Sequence, residues 1–285
     1  IDCIGLFTPP GGRAELVRRC VEAGKPVMTT KPFELDCRAA EDVLKFARQK
    51  RVAVELNSPS PYPGADTAQI LAWQQECDLG RITGIFAETY ASYCEAADGS
   101  WYDDPERCPA APLFRIGIYG INELIMLAGA VESVYCDCTR LRTARPTPDN
   151  GMLQLRFVNG SLGAIYCSMC IDDGRPHNNN LLIHFERGSV ARNLCGGPAG
   201  AADRDAELTL EFRNAENAVE IRRASIPAAR RTGTYQWENF HRAISNGPDL
   251  PGMIPDDDIV AGIKVLRAMK QSEKTGRSCR INELD

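Results

Sequence analysis

Residues 24–34 read GKPVMTTKPFE. The run Pro26-Val27-Met28-Thr29-Thr30 is short and apolar and is bounded by Gly24 and Pro32, which is the pattern of a strand buried in a core. Lys31 follows at its carboxyl end, and the proline behind it stiffens the turn. In an open parallel sheet, ligands bind outside the carboxyl ends of the strands. Lys31 is therefore a candidate site residue, set against the plainer reading of a surface lysine in a connecting loop.

The flanking sequence supports the sheet. The chain opens IDCIGLFTPP, an apolar strand from its first residue. A helix is predicted from about Arg13 to Ala23, with Leu16, Val17, Cys20 and Val21 on one face. Gly24 suits the C′ position, since glycine takes the left-handed conformation without strain. After the strand Pro26–Thr30, Asp36 suits an N-cap and Ala40, Val43, Leu44 and Ala47 mark the inward face of a second helix. The strand Val52–Asn57 completes β-α-β-α-β with nearly continuous apolar strands, so a parallel sheet covered on both faces. This is one mononucleotide-type half of a doubly wound sheet. Three such strands leave an unpaired edge. The expectation is a preceding segment of roughly 60 residues, the size of two β-α units, with cover by another chain as the alternative. No G-x-G-x-x-G follows a strand in the sequence, so the dinucleotide fingerprint is not present to be read.

Beyond Asn57 the character changes. SPSPYPG (58–64) reads as a domain crossing, giving an expected partition into residues 1–60 and 61–285. A helix is predicted near Asp66–Glu76, followed by alternating strands. Asn159-Gly160 between MLQLRF and LGAIYCSM predicts a tight hairpin. Leu208, Leu210 and Phe212 alternate, as do Val219 and Ile221. Residues from about Arg81 to Ile226 should build a large, open, mainly antiparallel sheet, whose second face is predicted to join copies of the chain in a homodimer or homotetramer. Helices near Tyr235–Ser245 and Asp257–Thr275 close the chain. The fold class is thus α/β plus α+β: a partial Rossmann-like parallel sheet, then a domain with a large open sheet.

One helix, CPAAPLFRIGIYGINELIMLAG (108–129), interrupts that sheet. Arg115, Tyr119 and Asn122 lie at spacings of four and three, hence on one face. Ile116, Ile118, Ile121, Leu124, Ile125 and Leu127 make it apolar nearly all round, so it is expected to be buried with its polar line facing a cleft.

Composition removes several classes of function. A net charge of −5 over 285 residues, with Lys and Arg scattered, offers no nucleic-acid footprint. No apolar run reaches the roughly 18 residues that span a membrane. The 12 cysteines include Cys136-x-Cys138 and Cys167-x-x-Cys170 inside strand-like runs. Positions three apart on a strand face opposite sides, so no metal site is expected, and free thiols in a reducing cytoplasm are.

Taken in order, these segments resemble the glucose–fructose oxidoreductase / inositol dehydrogenase / MocA family of NAD(P)-dependent oxidoreductases. IDCIGLFTPP is similar to that family's strand ending in Thr-Pro, and EAGKPVMTTKP to its A-G-K-x-V-x-x-E-K-P segment. CDLGRITGIF resembles the strand opening its second domain, PLFRIGIYGINELIMLAG its D-x-G-x-H-x-x-D helix, and SEKTGRSCRI its closing helix and strand. Thr30 stands where glutamate is usual, and Arg115, Tyr119 and Asn122 stand where Asp, His and Asp are commonest. A branch with tyrosine at the histidine position, which includes glucose–fructose oxidoreductase and the dihydrodiol dehydrogenases, is similar here.

The resemblance implies hydride transfer between NAD or NADP and a secondary alcohol of a sugar, sugar acid or cyclitol, with Lys31 and Tyr119 as catalytic residues. Tyr119, with an ordinary pKa of about 10, needs a nearby cation to bring it lower, and Lys31 is expected to supply it. Arg115 is expected either to fork a substrate carboxylate or phosphate or to pair with Glu88 or Asp104. Thr8, Pro9, Pro10, Thr30, Lys31 and Asn57 are the expected cofactor contacts. Arg115, Asn122, Trp101 and His177 are the expected substrate contacts, with a solvated loop histidine and ordinary packing as alternatives for the last two. A degenerate member that binds a ligand or partner without catalysis, or a subunit completed by another chain, are the competing readings.

Overall fold

The computed structural model describes residues 1–57, 62–196, 202–248 and 256–283. Most of the expected domain crossing, residues 58–61, lies outside the described residues. Strands β1 (Ile4–Leu6), β2 (Val27–Thr29) and β3 (Val54–Leu56) form a parallel sheet in that order, with Ile4 opposite Val27 and Val27 opposite Val54. Helices α1 (Arg13–Glu22) and α2 (Cys37–Lys50) make the two crossovers. The local signals act as physics requires. Asp36 caps α2 by accepting from Arg38 N at 2.8 Å and Ala39 N at 3.1 Å, and Gly24 takes φ 65° behind α1.

The apolar faces of both helices pack with Val27, Phe33 and Leu56. Val260 and Ile263 of the late helix α6 (Asp256–Thr275) join the same cluster, so the end of the chain packs back on its beginning. The other face of the sheet, at Met28 and Ala53, is covered by Phe240 and Ala243 of α5 (Trp237–Asn246).

After α3 (Ala65–Glu76) comes β4 (Ile82–Ala91), and later α4 (Ile118–Ala128). The strands that follow are β5 (Val131–Thr139), β6 (Asn150–Phe157), β7 (Leu162–Ser168), β8 (His177–Phe185), β9 (Gly188–Cys195), β10 (Ala206–Arg213), β11 (Val219–Ile226) and β12 (Cys279–Arg280). Together with β4 they form a sheet ordered β11-β10-β9-β8-β4-β7-β6-β5-β12, antiparallel except where β4 meets β7. The hairpin between β6 and β7 is present, but only Gly160 is left-handed (φ 89°). The turn is the expected stretch 158–161, closed by Gly160 N donating to Phe157 O at 2.9 Å and braced by Asn159 Oδ1, which accepts from Ser161 N at 3.0 Å.

One face of this sheet packs on α4 and α6 in the main core. The opposite face leaves Phe86, Met152, Leu162 and Leu182 exposed. Val219 and Ile221 depart from expectation. They alternate, but on the edge strand β11 that alternation faces solvent.

The helix expected over 108–129 is also different. Residues 108–110 are turn, and Leu113–Gly117 form a π-helical turn before α4 begins. Such insertions change the angular phase of the side chains after them, and here they separate the line Arg115, Tyr119, Asn122.

Candidate active site

Lys31 sits just past β2, as the strand and its proline predict. The residue is half-buried, its Nζ donates to the carbonyl of Arg115 in the π-helical turn, and the ammonium lies 4.9 Å from the centroid of the Tyr119 ring. No carboxylate is paired with it among the described ion pairs. Burial, with help from the Arg115 charge, lowers its pKa to about 8. Tyr119 moves the other way. Burial pushes its phenol up to about 12, against a hydrogen bond with the Asn57 side chain that favours the phenolate. The expected division of labour is therefore corrected. Lys31 meets the face of the Tyr119 ring and does not bring the phenol toward neutrality, so of the two groups the amine titrates nearer pH 7.

Arg115 is committed elsewhere. Its guanidinium forks Glu95, at 2.6 Å to Oε2 and 3.0 Å to Oε1, and lies 3.9 Å from the Tyr102 ring centroid. The bidentate bond with Arg115 holds the Glu95 carboxyl below its ordinary range. The ion-pair partners expected from sequence, Glu88 and Asp104, are both otherwise engaged: Glu88 accepts from Asn180 at 2.8 Å and Asp104 from Glu106 N at 2.8 Å. Arg145 closes the group, reaching Glu95 at 2.9 Å, Asp98 at 2.9 Å and Asp103 at 2.7 Å.

A cavity of about 470 Å³ opens beside Tyr119. Tyr93, Thr89, Asn179, His177 and Arg231 contribute to its walls. His177 thus shares a cavity with Tyr119, although they are 58 positions apart (177 − 119). Its Nε2 lies 3.4 Å from Arg231 Nη2 and 3.9 Å from Asp203, and burial lowers its pKa, which favours the neutral ring. Arg231 spends its donors on the carbonyls of Cys195 (3.1 Å) and Arg204 (2.8 Å) and on Asp203.

Behind this wall, Arg192 is fully buried between Asp66 at 2.9 Å and Glu123, and donates to Asn179 Oδ1 at 3.0 Å. Asp66 in turn holds Thr232 N at 2.7 Å, so one ionic cluster fixes both Asn179 and the 232–234 part of the wall.

Two expected contacts lie elsewhere. Asn122 faces α6, where a Cβ on Gly262 would stand 2.2 Å from its Oδ1. Trp101 packs on Tyr102, centroids 4.2 Å apart, and against Phe114. The sequence reading missed Glu95, Tyr93, Arg231 and the Arg192 cluster. Glu123 carried a signal: a carboxylate in the apolar run GINELIML demands a buried partner.

At the sheet's carboxyl edge, the Thr8 hydroxyl is buried without a hydrogen-bond partner among the described residues. Pro10 is buried beside it and Pro9 is exposed. Among the described residues no group of three or more His, Cys, Asp or Glu is placed to hold a metal ion.

Comparison with known proteins places this arrangement. Residues 67–191 match the model of the GFO/IDH/MocA C-terminal domain. The oxidoreductase YhhX of Escherichia coli strain K12, itself uncharacterised, is 23% identical over 284 residues, covering 93% of this chain and 76% of that protein. Among solved structures, GenD2 from gentamicin A biosynthesis in complex with NAD superposes with a TM-score of 0.74 at 20% identity, over 98% of this chain and 78% of that one. Levoglucosan dehydrogenase in complex with NADH gives 0.72 at 18%, over 99% and 80%. The fold is shared with these oxidoreductases, and within it residues 67–191 carry the likeness to the Gfo/Idh/MocA family.

Proposed function

We propose that this protein is an NAD(P)-dependent dehydrogenase that oxidises a secondary alcohol, or reduces the matching ketone, of an uncharged carbohydrate-like substrate. The observation that carries the reading is Lys31: a half-buried amine with a pKa lowered to about 8, at the carboxyl end of a parallel strand and against the ring of a tyrosine that lines a cavity. Perturbed titratable groups in clefts are enriched at active sites.

The residues present fit the nicotinamide end of the cofactor. Thr8 offers a buried, unspent hydroxyl, and Thr30, Lys31 and Asn57 line the ends of the neighbouring strands, where such ligands bind. The amino terminus of α1 is filled by Glu34, which accepts from Ala14 N at 2.8 Å, so it does not serve the diphosphate. A bound nicotinamide supplies the hydride acceptor or donor. Lys31, as the free amine, takes the proton of the substrate hydroxyl during oxidation, and as the ammonium returns it during reduction. Tyr119, held protonated, donates a hydrogen bond to a substrate oxygen.

The cavity supports an uncharged substrate. Arg115 is taken by Glu95 and Arg231 by Asp203 and two carbonyls, while Thr89, Asn179 and Tyr93 offer neutral donors and acceptors. That preference sets aside the sugar acid or phosphate that Arg115 suggested in the sequence.

The exposed row Phe86, Met152, Leu162 and Leu182 supports a homo-oligomer joined through the open sheet. Free thiols throughout support a reducing, cytoplasmic setting. No helix among the described residues is long and apolar enough to cross a membrane.

The test compares wild type with Lys31→Ala, following nicotinamide fluorescence and turnover on a panel of neutral sugars, cyclitols and aldonic acids. Turnover is expected on neutral members and should fall by about 10²–10⁴ in the variant. Unchanged turnover removes Lys31 from the chemistry, and a preference for aldonic acids overturns the uncharged substrate. The second reading, a ligand-binding member without catalysis, is favoured by the high pKa of Tyr119 and predicts cofactor binding with no turnover on any panel member.

A further inference from the structure

Lys31 has a long flexible stem and, among the described residues, no paired carboxylate to aim it, and its hold on the Arg115 carbonyl weakens electrostatically whenever the amine is neutral. Something else must fix its direction. The residue that does so is 18 positions upstream (31 − 13). Arg13 opens α1, is 1% exposed, and turns its guanidinium inward onto the turn that carries Lys31. One nitrogen donates to the carbonyls of Thr30 and Pro32, on either side of Lys31, and to Phe33 O at 3.4 Å. The other donates to the carbonyl of Thr8 at the end of β1.

Glu34 answers from the far side of the same turn. Its carboxylate accepts from Gly12 N at 3.2 Å, Ala14 N at 2.8 Å and Leu35 N at 2.7 Å. Helix α1 grips the turn through Arg13, and the turn grips α1 through Glu34. Few places need a rigid planar fork more than four converging carbonyls do, and lysine supplies no such fork.

We propose that Arg13, locked by Glu34, is the positioning residue of Lys31: it ties the carbonyls of Thr8, Thr30, Pro32 and Phe33 into one turn, so that the amine projects only toward the Arg115 carbonyl and the Tyr119 ring. The inference rests on the reading of Lys31 as the proton-transfer group, but concerns its placement and environment, which are measurable without any substrate. The groups that face Lys31 from the elements around it are Arg13 on α1, Cys108 in the preceding turn, and Arg115 and Tyr119 on the π-helical turn and α4. Both arginine charges disfavour the ammonium, and burial does so more strongly. The assembly keeps the amine in place and keeps it reactive near neutral pH.

The experiment is competitive labelling of the intact protein with trace acetic anhydride between pH 6 and 11, with Lys31 read by peptide mass spectrometry. In wild type, Lys31 should label with a midpoint at about 8. Arg13→Met should move that midpoint up and change the labelling rate of Lys31 by roughly tenfold, leaving the surface lysines unchanged. Arg13→Lys keeps the charge and loses the fork. It should therefore leave the midpoint near the wild-type value and still change the rate, which a charge effect alone does not do. Glu34→Gln should change the rate in the same sense. A Lys31 profile that stays at wild type in Arg13→Lys and Glu34→Gln overturns the proposal, and these two decide it if Arg13→Met does not fold. Failure of the catalytic reading shows elsewhere, as turnover that survives Lys31→Ala.

Discussion

Two cations in this protein have opposite surroundings. Arg192 is enclosed with both its counter-ions, Asp66 and Glu123, whose side chains are 0% and 3% exposed, and its Nη2 also donates to Asn179. Lys31 is half-buried with a carbonyl and an aromatic face and, among the described residues, no paired anion. Desolvating a charge costs several kcal/mol unless it is paired. The arginine answers that cost with two carboxylates and becomes structural. The lysine answers it by shifting toward the neutral amine, which is the state a proton acceptor needs. Arg192 holds the wall of the cavity through Asn179, while Lys31 packs on the ring of Tyr119, which lines that cavity.

The contrast breaks most sharply under substitution to methionine. Lys31→Met should lose about 10²–10⁴ in turnover while its thermal midpoint stays level or rises, because an unpaired, half-buried charge has gone. A falling midpoint would show that Lys31 is structural. Arg192→Met should do the reverse in urea unfolding, losing about 3–5 kcal/mol by stranding two buried carboxylates, and adding Asp66→Asn and Glu123→Gln should restore much of it.

Glu55 extends the comparison to an anion. It lies on β3, is 2% exposed, and neither oxygen has a hydrogen-bond partner among the described residues. Burial raises its pKa from 4.5 to about 7. The folded state therefore binds the proton more tightly than the unfolded chain. Its contribution is fully present below about 4.5 and is lost as pH rises through 7. Glu55→Gln should thus raise the melting temperature at pH 8 and change it little at pH 4.5, the difference amounting to at most about 3 kcal/mol. An equal effect at both pH values would show that the carboxylate is solvated or paired. The smallest effect belongs to an exposed device: Asp36→Ala should cost about 1 kcal/mol through the lost cap of α2, read by urea unfolding.

Much of the fold was legible because its signals are local. Gly24, Asp36 and the apolar spacing of Val17, Val21, Val43 and Leu44 specify the first two helices from within a few residues, and the alternation Leu208, Leu210, Phe212 specifies a half-buried strand. The site was legible only in part. Lys31 stands out in the sequence because a strand end is a local feature. The grouping of Arg115, Tyr119 and Asn122 on one face assumed an uninterrupted α-helix, and the π-helical turn sends the three side chains to Glu95, the cavity and Gly262 in turn.

By itself, the sequence determined the parallel sheet, its helices, the antiparallel sheet that follows and the lysine at the carboxyl edge, since periodicity and caps act over a few residues. Only the tertiary structure decided which charges are spent and which are available. Glu95 reaches Arg115 across 20 positions and Arg192 reaches Asp66 across 126. Burial, which moves Lys31 down and Tyr119 up, depends on every element packed around them and on no one segment of the chain.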